Sequence, residues 1–210
     1  IVDLVEENLK TKQQIIAKEN IMNVPFEDME INHVETRTRA FVKIQDGCEN
    51  YCAYCIIPFV RGRCRSKKPE IVLEELTNLV KNGYKEIVLT GVHTGNYGKD
   101  LNTNFSSLLE KILKIKGLKR LRISSIEITE LDDKFFELLK YPILCNHLHI
   151  PLQSWSNKIL KLMNRKYNKE EYKNIINKIR KIRPNISITT DVIVGFPNET
   201  EEDFEESMET

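Results

Sequence analysis

From residue 40 onward, short apolar runs alternate with longer segments in which apolar residues recur at helical spacing. The short runs predict β-strands over residues 40–45, 86–90, 120–126, 147–150 and 187–194. The longer segments predict amphipathic helices over residues 69–82, 105–115, 132–140, 156–163 and 169–183. Apolar strands that alternate with helices are typical of a parallel sheet covered by helices. The pattern therefore predicts an α/β domain, either an open doubly wound sheet or a barrel, because both use right-handed crossovers.

The first part of the chain follows a different pattern. Apolar residues recur at helical spacing near its start, and the pattern becomes irregular around Pro25. No group of residues with chemical potential occurs there, so we interpret residues 1–35 as a linker or the tail of a preceding domain, and residues 36–210 as the main domain. The chain begins at Ile1 and stops at Thr210 inside an acidic helical pattern, from which we expect a piece of a longer protein.

Composition narrows the class of protein. The 210-residue chain is 40% hydrophobic and 30% charged, which is typical of a soluble globular protein. Its net charge of +1 indicates nothing about partners, so only local charge clusters can do so. No apolar run reaches membrane-spanning length, and the first residues do not resemble a signal peptide. Together with an odd number of cysteines, five, these features predict a cytoplasmic protein with free thiols and no membrane partner.

Three cysteines lie on a loop directly after the first predicted strand. Cys48, Cys52 and Cys55 have the spacing C-x3-C-x2-C, and Gly47 ends the strand before them. Cysteine thiolates are the usual ligands of iron–sulfur clusters. Three thiolates on one short loop can reach three corners of a [4Fe-4S] cube and leave its fourth iron open to a small molecule. The spacing therefore predicts a cluster site.

Two other uses of these cysteines remain open at this point. Cys64 could join the three to make a four-cysteine zinc site, although the spacing lacks two CxxC pairs and arginines surround Cys64. A zinc-stapled RNA-binding module is the corresponding function. Disulfides fit less well, because the chain has five cysteines and does not resemble a small secreted protein.

The cysteine loop resembles a known family. The three cysteines, with Tyr54 before the last of them, resemble the signature of radical S-adenosylmethionine (SAM) enzymes, and the string GCENYCAYCIIPFVRGR (residues 47–63) resembles the methylthiotransferases among them. The resemblance extends from about residue 39 to the end of the chain. It implies an α/β fold that is a partial (β/α)6 radical SAM barrel, truncated before its last strand.

The resemblance also implies which residues contact SAM, because active-site residues of such barrels follow the carboxyl ends of the strands. Gly91 and its neighbours would meet the methionine amino group, the string around Gln153 the ribose, and Arg165 the SAM carboxylate region. Ser124 and Glu127 suit a polar ligand, with helix capping as the alternative. The full set of predicted cofactor-binding residues is Tyr54, Gly91, His93, Ser124, Glu127, Gln153, Arg165, Asp191 and Gly195.

Five cations follow the cysteine loop. They are Arg61, Arg63, Arg65, Lys67 and Lys68. A cluster of this kind beside an active site suggests a phosphate-bearing substrate, so we predict that it contacts nucleic acid.

The resemblance implies a radical reaction. Reductive cleavage of cluster-bound SAM would give a 5′-deoxyadenosyl radical, and a methylthio group would be placed on the substrate carbon that loses hydrogen to it. The string LTGVHTGNYGKDL (residues 89–101) resembles the bacterial MtaB type, whose substrate is N6-threonylcarbamoyladenosine beside the tRNA anticodon. Isopentenyladenosine in tRNA and a ribosomal-protein aspartate are the alternative substrates. The implied partners are a tRNA anticodon stem-loop and an external flavodoxin-like or ferredoxin-like one-electron donor.

One feature of the family has no counterpart here. Methylthiotransferases bind a second, auxiliary [4Fe-4S] cluster through three further cysteines in an N-terminal domain, and no cysteine precedes Cys48. We therefore expect this chain alone to hold the radical cluster but to be incomplete for methylthiolation.

Overall fold

The structure is a computed structural model that describes residues 2–17, 20–28 and 38–209. Its strands are β1 (Arg39–Asp46), β2 (Arg65–Ser66), β3 (Glu86–Gly91), β4 (Arg120–Ile123), β5 (His147–His149) and β6 (Ser187–Thr189). Its α-helices are α1 (Val2–Thr11), α2 (Ile57–Arg61), α3 (Pro69–Lys81), α4 (Phe105–Ile112), α5 (Asp133–Leu138), α6 (Asn157–Leu162), α7 (Lys169–Ile182) and α8 (Glu201–Met208). The predicted domain boundary at residues 35 and 36 lies outside the described residues.

Five strands run parallel and lie beside one another in chain order. β1 pairs with β3, β3 with β4, and β5 with β6. A parallel bridge between Leu121 of β4 and Leu144 connects the two sheets just before β5. A doubly wound sheet reverses its strand order at a switch point, whereas a barrel does not. The arrangement is thus that of an incomplete (β/α) barrel, which confirms the predicted fold class.

The predicted strands are all present, but β4 and β6 are shorter than predicted. β4 ends at Ile123 rather than at residue 126, and β6 ends at Thr189 rather than at residue 194. Beyond it the Thr190 hydroxyl accepts a hydrogen bond from Leu152 N at 2.8 Å, so a side chain replaces a backbone partner. The partner segment also contains Pro151, which has no N–H to donate, and Gln153 has a left-handed φ of 71°. Beyond this interruption the backbone pairing resumes only as an isolated parallel bridge between Gln153 and Val192.

The core lies between the parallel strands and the helices that follow them. Val42 and Ile44 of β1 and Ile87 and Leu89 of β3 are fully buried. The apolar stripe of α3 packs against them, and its Leu76 is fully buried as well. Burial of an aliphatic side chain of this size contributes about 1.5–3 kcal/mol. This packing fixes the strand ends, and with them the loops that carry the site.

Residues 20–28 contact the barrel beside the cysteine loop. Arg65 Nη1 donates to Ile21 O at 3.3 Å and to Val24 O at 3.4 Å. A Cβ atom on Gly62 would lie 2.6 Å from Ile21 O, so glycine permits the close approach. By contrast, α1 has no buried residue. Among the described residues, no helix combines the length and apolar composition that a membrane crossing requires.

Gly47, where β1 passes into the cysteine loop, tests this local geometry. Its φ is +72°, and an added Cβ would lie 1.9 Å from the backbone oxygen of Arg63. We expect Gly47→Ala to lower the free energy of unfolding by about 3 kcal/mol or more, because backbone strain and a steric clash add together. Chemical denaturation measures the change.

The matched control is Gly83→Ala. Gly83 also has a positive φ, +100°, but nothing lies within 4 Å of an added Cβ. Its replacement should cost only the strain, about 1–2 kcal/mol. Equal losses in the two variants would contradict the proposed contact between Gly47 and Arg63.

Candidate cofactor site

A buried carboxylate fixes the start of the cysteine loop. Asp46, the last residue of β1, accepts hydrogen bonds from Gly47 N at 2.8 Å, Arg61 Nε at 2.7 Å and Lys43 Nζ at 2.6 Å. Burial alone would raise the pKa of Asp46, but these bonds from Arg61, Lys43 and Gly47 outweigh it and hold the pKa far below its usual range. Asp46 is therefore an anion that pairs with the side chains of Lys43 and Arg61 at the start of the cysteine loop.

Contacts from distant parts of the chain hold the loop backbone. Cys48 N donates to Gly62 O at 3.1 Å, and Ala53 N donates to Met163 O at 3.0 Å. Asn164 Nδ2 donates to Tyr51 O at 2.7 Å. The loop is thus anchored both to the segment that follows it and to the connection between α6 and α7.

The three thiols are free and half-buried. Cys48 Sγ lies 3.5 Å from His93 Nδ1, and Arg165 Nη1 donates to Cys52 Sγ at 3.3 Å. Burial raises the pKa of the Cys48 thiol to about 11. Such a thiol stays protonated in the metal-free chain and loses its proton when iron binds. These residues fit an iron–sulfur cluster held by three thiolates.

Cys64 has contacts of its own and does not join the other three. It is buried, accepts a hydrogen bond from Gln45 Nε2 at 3.3 Å and donates to Asn96 O at 3.4 Å. A tetrahedral zinc site with Zn–S bonds of about 2.3 Å brings its sulfurs within about 4 Å of one another. In the described part of the chain, no three of the four cysteines Cys48, Cys52, Cys55 and Cys64 have sulfurs that all lie within 4.8 Å of one another. The geometry thus gives the zinc alternative no fourth thiol.

A compact polar pocket lies beside Cys48. Ligand atoms of His93, Glu127 and Glu130 all lie within 4.8 Å of one another, and His93 forms an ion-pair contact with Glu130. Burial lowers the pKa of His93 to about 4, and burial with the nearby Glu127 carboxylate raises the pKa of Glu130 to about 8. At neutral pH the His93–Glu130 pair is therefore largely uncharged. Asn50 Nδ2 of the cysteine loop donates to Glu127 Oε2 at 3.3 Å.

Arg165 is brought into the same pocket. Its Nη2 lies 2.8 Å from Glu127 Oε1, its Nη1 donates to Tyr54 OH at 3.3 Å, and its guanidinium lies over the Tyr167 ring at 4.9 Å. Burial opposes its charge, but Glu127 outweighs this and raises the pKa of Arg165 above its usual range. Tyr54 lies on the cysteine loop, and His93, Glu127 and Arg165 each contact a side chain of that loop.

The other predicted residues lie along the same edge of the barrel. Gly91 ends β3, and an added Cβ there would lie 3.0 Å from Gln45 Oε1. The Ser124 hydroxyl is buried and has no hydrogen-bond partner in the described part of the structure, which suits a ligand. Asp191 pairs with His149 at 3.1 Å, and Gln153 N donates to Asp191 O at 2.8 Å.

Gly195 is next in sequence to a residue that contacts the cysteine loop. The ring of the next residue, Phe196, packs edge-on against Tyr54 with centroids 6.4 Å apart. Gly195 has a φ of +74°, with nothing within 4 Å of an added Cβ. Open space therefore remains beside this glycine.

Sequence reasoning missed Asn50 and Glu130. Glu130 follows Glu127 by three residues and forms a capping box with it over the short 3₁₀ helix Ile128–Glu130. The capping alternative for Glu127 is thus correct as well, since one carboxylate caps the turn and faces the pocket. An added Cβ on Gly95 would lie 2.0 Å from Glu130 Oε2, so the glycine leaves room for this carboxylate. The E-x-x-E spacing was the available signal.

The five cations after the loop do not form one exposed patch. Lys67 is 2% exposed and pairs with the buried Glu75 at 2.7 Å. Arg65 lies 3.4 Å from Asp46 and is largely covered, and Arg61 also binds Asp46. Arg63 and Lys68 are exposed. Burial and pairing therefore keep the Lys67 ammonium away from any nucleic acid, and Arg65 presents little of its side chain.

A family model described as the radical SAM superfamily matches residues 42–210, which include the cysteine loop and every strand end described above. The chain belongs to this superfamily. Its cofactors are accordingly a [4Fe-4S] cluster and SAM, and the thiols and the polar pocket fit them.

Several relatives are similar over most of this radical SAM chain. A threonylcarbamoyladenosine tRNA methylthiotransferase MtaB from Bacillus subtilis is 46% identical over 97% of the chain, and one from Thermotoga maritima is 44% identical over all of it. A tRNA-2-methylthio-N(6)-dimethylallyladenosine synthase from Clostridium tetani is 48% identical over 83% of the chain. The chain spans 46%, 48% and 39% of these relatives' lengths, respectively, about half or less.

Solved structures show the same fold. The radical SAM methyltransferase TsrM from Kitasatospora setae, with cobalamin and a [4Fe-4S] cluster bound, superposes with a TM-score of 0.67 at 18% identity, over 81% of this chain and 33% of its own. Coproporphyrinogen III oxidase from Escherichia coli, described as a radical SAM enzyme, gives 0.56 at 17% identity, over 81% and 40%.

Proposed function

We propose that this chain is the radical SAM part of a tRNA methylthiotransferase that acts on N6-threonylcarbamoyladenosine beside the anticodon. The observation that carries the proposal is the loop of three free thiols at the carboxyl end of β1, in a chain 44–48% identical to enzymes named for tRNA methylthiolation. The alternative substrate, dimethylallyladenosine (isopentenyladenosine), belongs to relatives of equal similarity.

Two features favour the threonylcarbamoyl substrate. The reported relatives named for it align with 97–100% of the chain, whereas the relatives named for dimethylallyladenosine align with 81–93%. In addition, residues 89–101, at the end of β3 and in the loop that follows it, resemble the MtaB type. We do not propose the ribosomal-protein aspartate as the substrate, because the names of the reported relatives all refer to tRNA modification.

The chemistry that the bound cluster supplies is one-electron reduction of SAM. Within the proposal, Cys48, Cys52 and Cys55 hold three of the four irons. The remaining residues bind and orient SAM and exclude water from it, which is what the protein contributes in cofactor chemistry of this kind.

The pair of Arg165 and Glu127 is matched to the methionine end of SAM. That end is a zwitterion, with an ammonium and a carboxylate on one carbon. Arg165 and Glu127 present the complementary charges 2.8 Å apart in a pocket where Arg165 is 3% exposed. We assign the SAM ammonium to Glu127, next to Gly91 and His93, and the SAM carboxylate to Arg165.

The nucleoside end of SAM then extends towards β5 and β6. Ser124 offers an unpaired hydroxyl, and Gln153, Asp191 and Gly195 follow along the same edge. Tyr54 and Phe196 pack edge to face at the entrance, where they would shield the sulfonium from water. We assign ribose and adenine contacts to this group.

Substrate and electron donor reach the site from outside. Arg63 and Lys68 are the exposed members of the cation cluster that pair with neither Asp46 nor Glu75, and we propose that they contact phosphates of the anticodon stem-loop. Arg61 is exposed as well, but it binds Asp46. We propose that the electron donor is flavodoxin-like or ferredoxin-like and that an auxiliary [4Fe-4S] cluster is bound outside this chain. We also propose a cytoplasmic setting, which would keep all five thiols reduced.

Glu127→Gln tests the assignment of the SAM ammonium. The change keeps the shape of the side chain and removes its charge, so a charge-assisted hydrogen bond is lost. We expect the Kd for SAM in the anaerobically reconstituted chain to rise about tenfold or more, measured by equilibrium dialysis.

Glu110→Gln is the control for that measurement. Glu110 lies on α4 and pairs with Lys114 and Lys134, so its replacement removes one charge away from the pocket. SAM affinity should not change. Equal weakening in the two variants, or no change in Glu127→Gln, would contradict the assignment.

The substrate is tested in a chimera of the Bacillus subtilis relative in which this chain replaces the matching segment. We expect 2-methylthio-N6-threonylcarbamoyladenosine in tRNA nucleosides from a bacterial host that lacks endogenous methylthiolation, measured by mass spectrometry. The Cys48→Ala chimera is the control and should give none. If the chimera instead produces methylthiolated dimethylallyladenosine, the proposed substrate is wrong. If the Cys48→Ala chimera methylthiolates tRNA, the proposed role of the cysteine loop is wrong.

A further inference from the structure

One cation lies within hydrogen-bond distance of a thiol of the cysteine loop. Arg165 Nη1 lies 3.3 Å from Cys52 Sγ, and the Arg165 side chain is 3% exposed. Cys48 Sγ has a different neighbour, the ring nitrogen Nδ1 of His93 at 3.5 Å. Of these two sulfurs, that of Cys52 is the one beside a guanidinium.

The guanidinium is held in place by other contacts. Its Nε donates to Tyr167 OH at 3.1 Å, and that hydroxyl donates to the carbonyls of Pro151 and Leu152 at 2.9 Å. Glu127 holds the opposite edge of the guanidinium at 2.8 Å. The N–H that faces Cys52 is thus oriented before any cofactor binds.

The backbone around Arg165 is tied to the loop as well. Arg165 N donates to Leu160 O at 2.9 Å, and Ala53, next to Cys52, donates to Met163 O at 3.0 Å. These contacts tie Arg165 to the loop that carries Cys52, although 113 residues separate the two.

We propose that Arg165 is a positioning residue that orients the Cys52 thiolate and raises the reduction potential of the cluster held by this loop. An N–H donated to a ligand sulfur stabilises negative charge on the cluster, and the reduced form carries one negative charge more than the oxidised form. A charged donor makes this bond stronger than a neutral one does. The inference rests on the proposed cluster ligands and adds a role to Arg165 besides its contact with SAM.

Arg165→Gln tests this role in the reconstituted chain, in a redox titration followed by electron paramagnetic resonance without SAM. Leaving SAM out prevents weaker SAM binding from causing any shift. We expect the ratio of reduced to oxidised cluster at a fixed potential to fall about tenfold, equivalent to ~59 mV for one electron. In Arg165→Lys the ratio of reduced to oxidised cluster should fall less, because an ammonium keeps the charge but lacks the planar geometry of the guanidinium.

Lys166→Gln is the matched control. Lys166 is the next residue, is exposed and hydrogen-bonds Asn164, so its removal takes one charge from the same segment without touching a thiol. Its ratio should equal that of the parent. Equal shifts in Lys166→Gln and Arg165→Gln would overturn the proposal, because a distant charge would then explain the effect.

The remaining outcomes separate this inference from the proposed function. If both Arg165 variants bind iron and the reduction potential of the cluster is unchanged in both, the inference is wrong but the proposed function stands. A parent chain that binds no iron contradicts the proposed function and the inference together. If Arg165→Gln does not fold, Arg165→Lys decides, and an unchanged ratio in it overturns the proposal.

Discussion

The site depends on the clamp between the cysteine loop and the segment that joins α6 to α7. Ala53 and Tyr51 hydrogen-bond Met163 and Asn164 through the backbone of the loop, and Arg165 follows at once with its donor to Cys52. A loop that follows one strand cannot hold three sulfurs in fixed positions by local contacts alone. The clamp supplies the missing constraint from the far side of the partial barrel.

The charged residues of the site form two groups. At the end of β1, Asp46 pairs with Lys43 and Arg61. In the pocket beside Cys48, Glu127 and Arg165 form a buried ion pair. A buried pair contributes little net stability, since desolvation offsets its attraction. Under the proposed function, the role of this pair is to present complementary charges to the zwitterionic end of SAM.

The sequence predicted what local patterns determine. Alternation of strands and helices gave five strands in the right order, and the spacing of Cys48, Cys52 and Cys55 placed the thiols on a loop after the first strand. What it missed depends on contacts between distant residues. Lys67 looked like a surface cation until its pairing with Glu75 placed it in the core.

Other differences have similar causes. β2 has only two residues and exists because Gln45 and Asp46 pair with it, so no periodicity reveals it. Glu130 joins the pocket because Gly95 leaves room for its carboxylate, a fact about packing rather than pattern. The early end of β6 follows from Pro151, which has no N–H to donate, and from the Thr190 hydroxyl, which takes the Leu152 N–H in place of a backbone oxygen.

The central claim is that these three cysteines hold a [4Fe-4S] cluster and Cys64 does not. The most direct measurement is iron, zinc and labile sulfide per chain after anaerobic reconstitution of the parent, Cys55→Ser and Cys64→Ser. The account predicts about four irons and four sulfides in the parent, loss in Cys55→Ser and no change in Cys64→Ser, whose thiol bonds Gln45 and Asn96. About one zinc and no sulfide, lost when Cys64 is replaced, would contradict it.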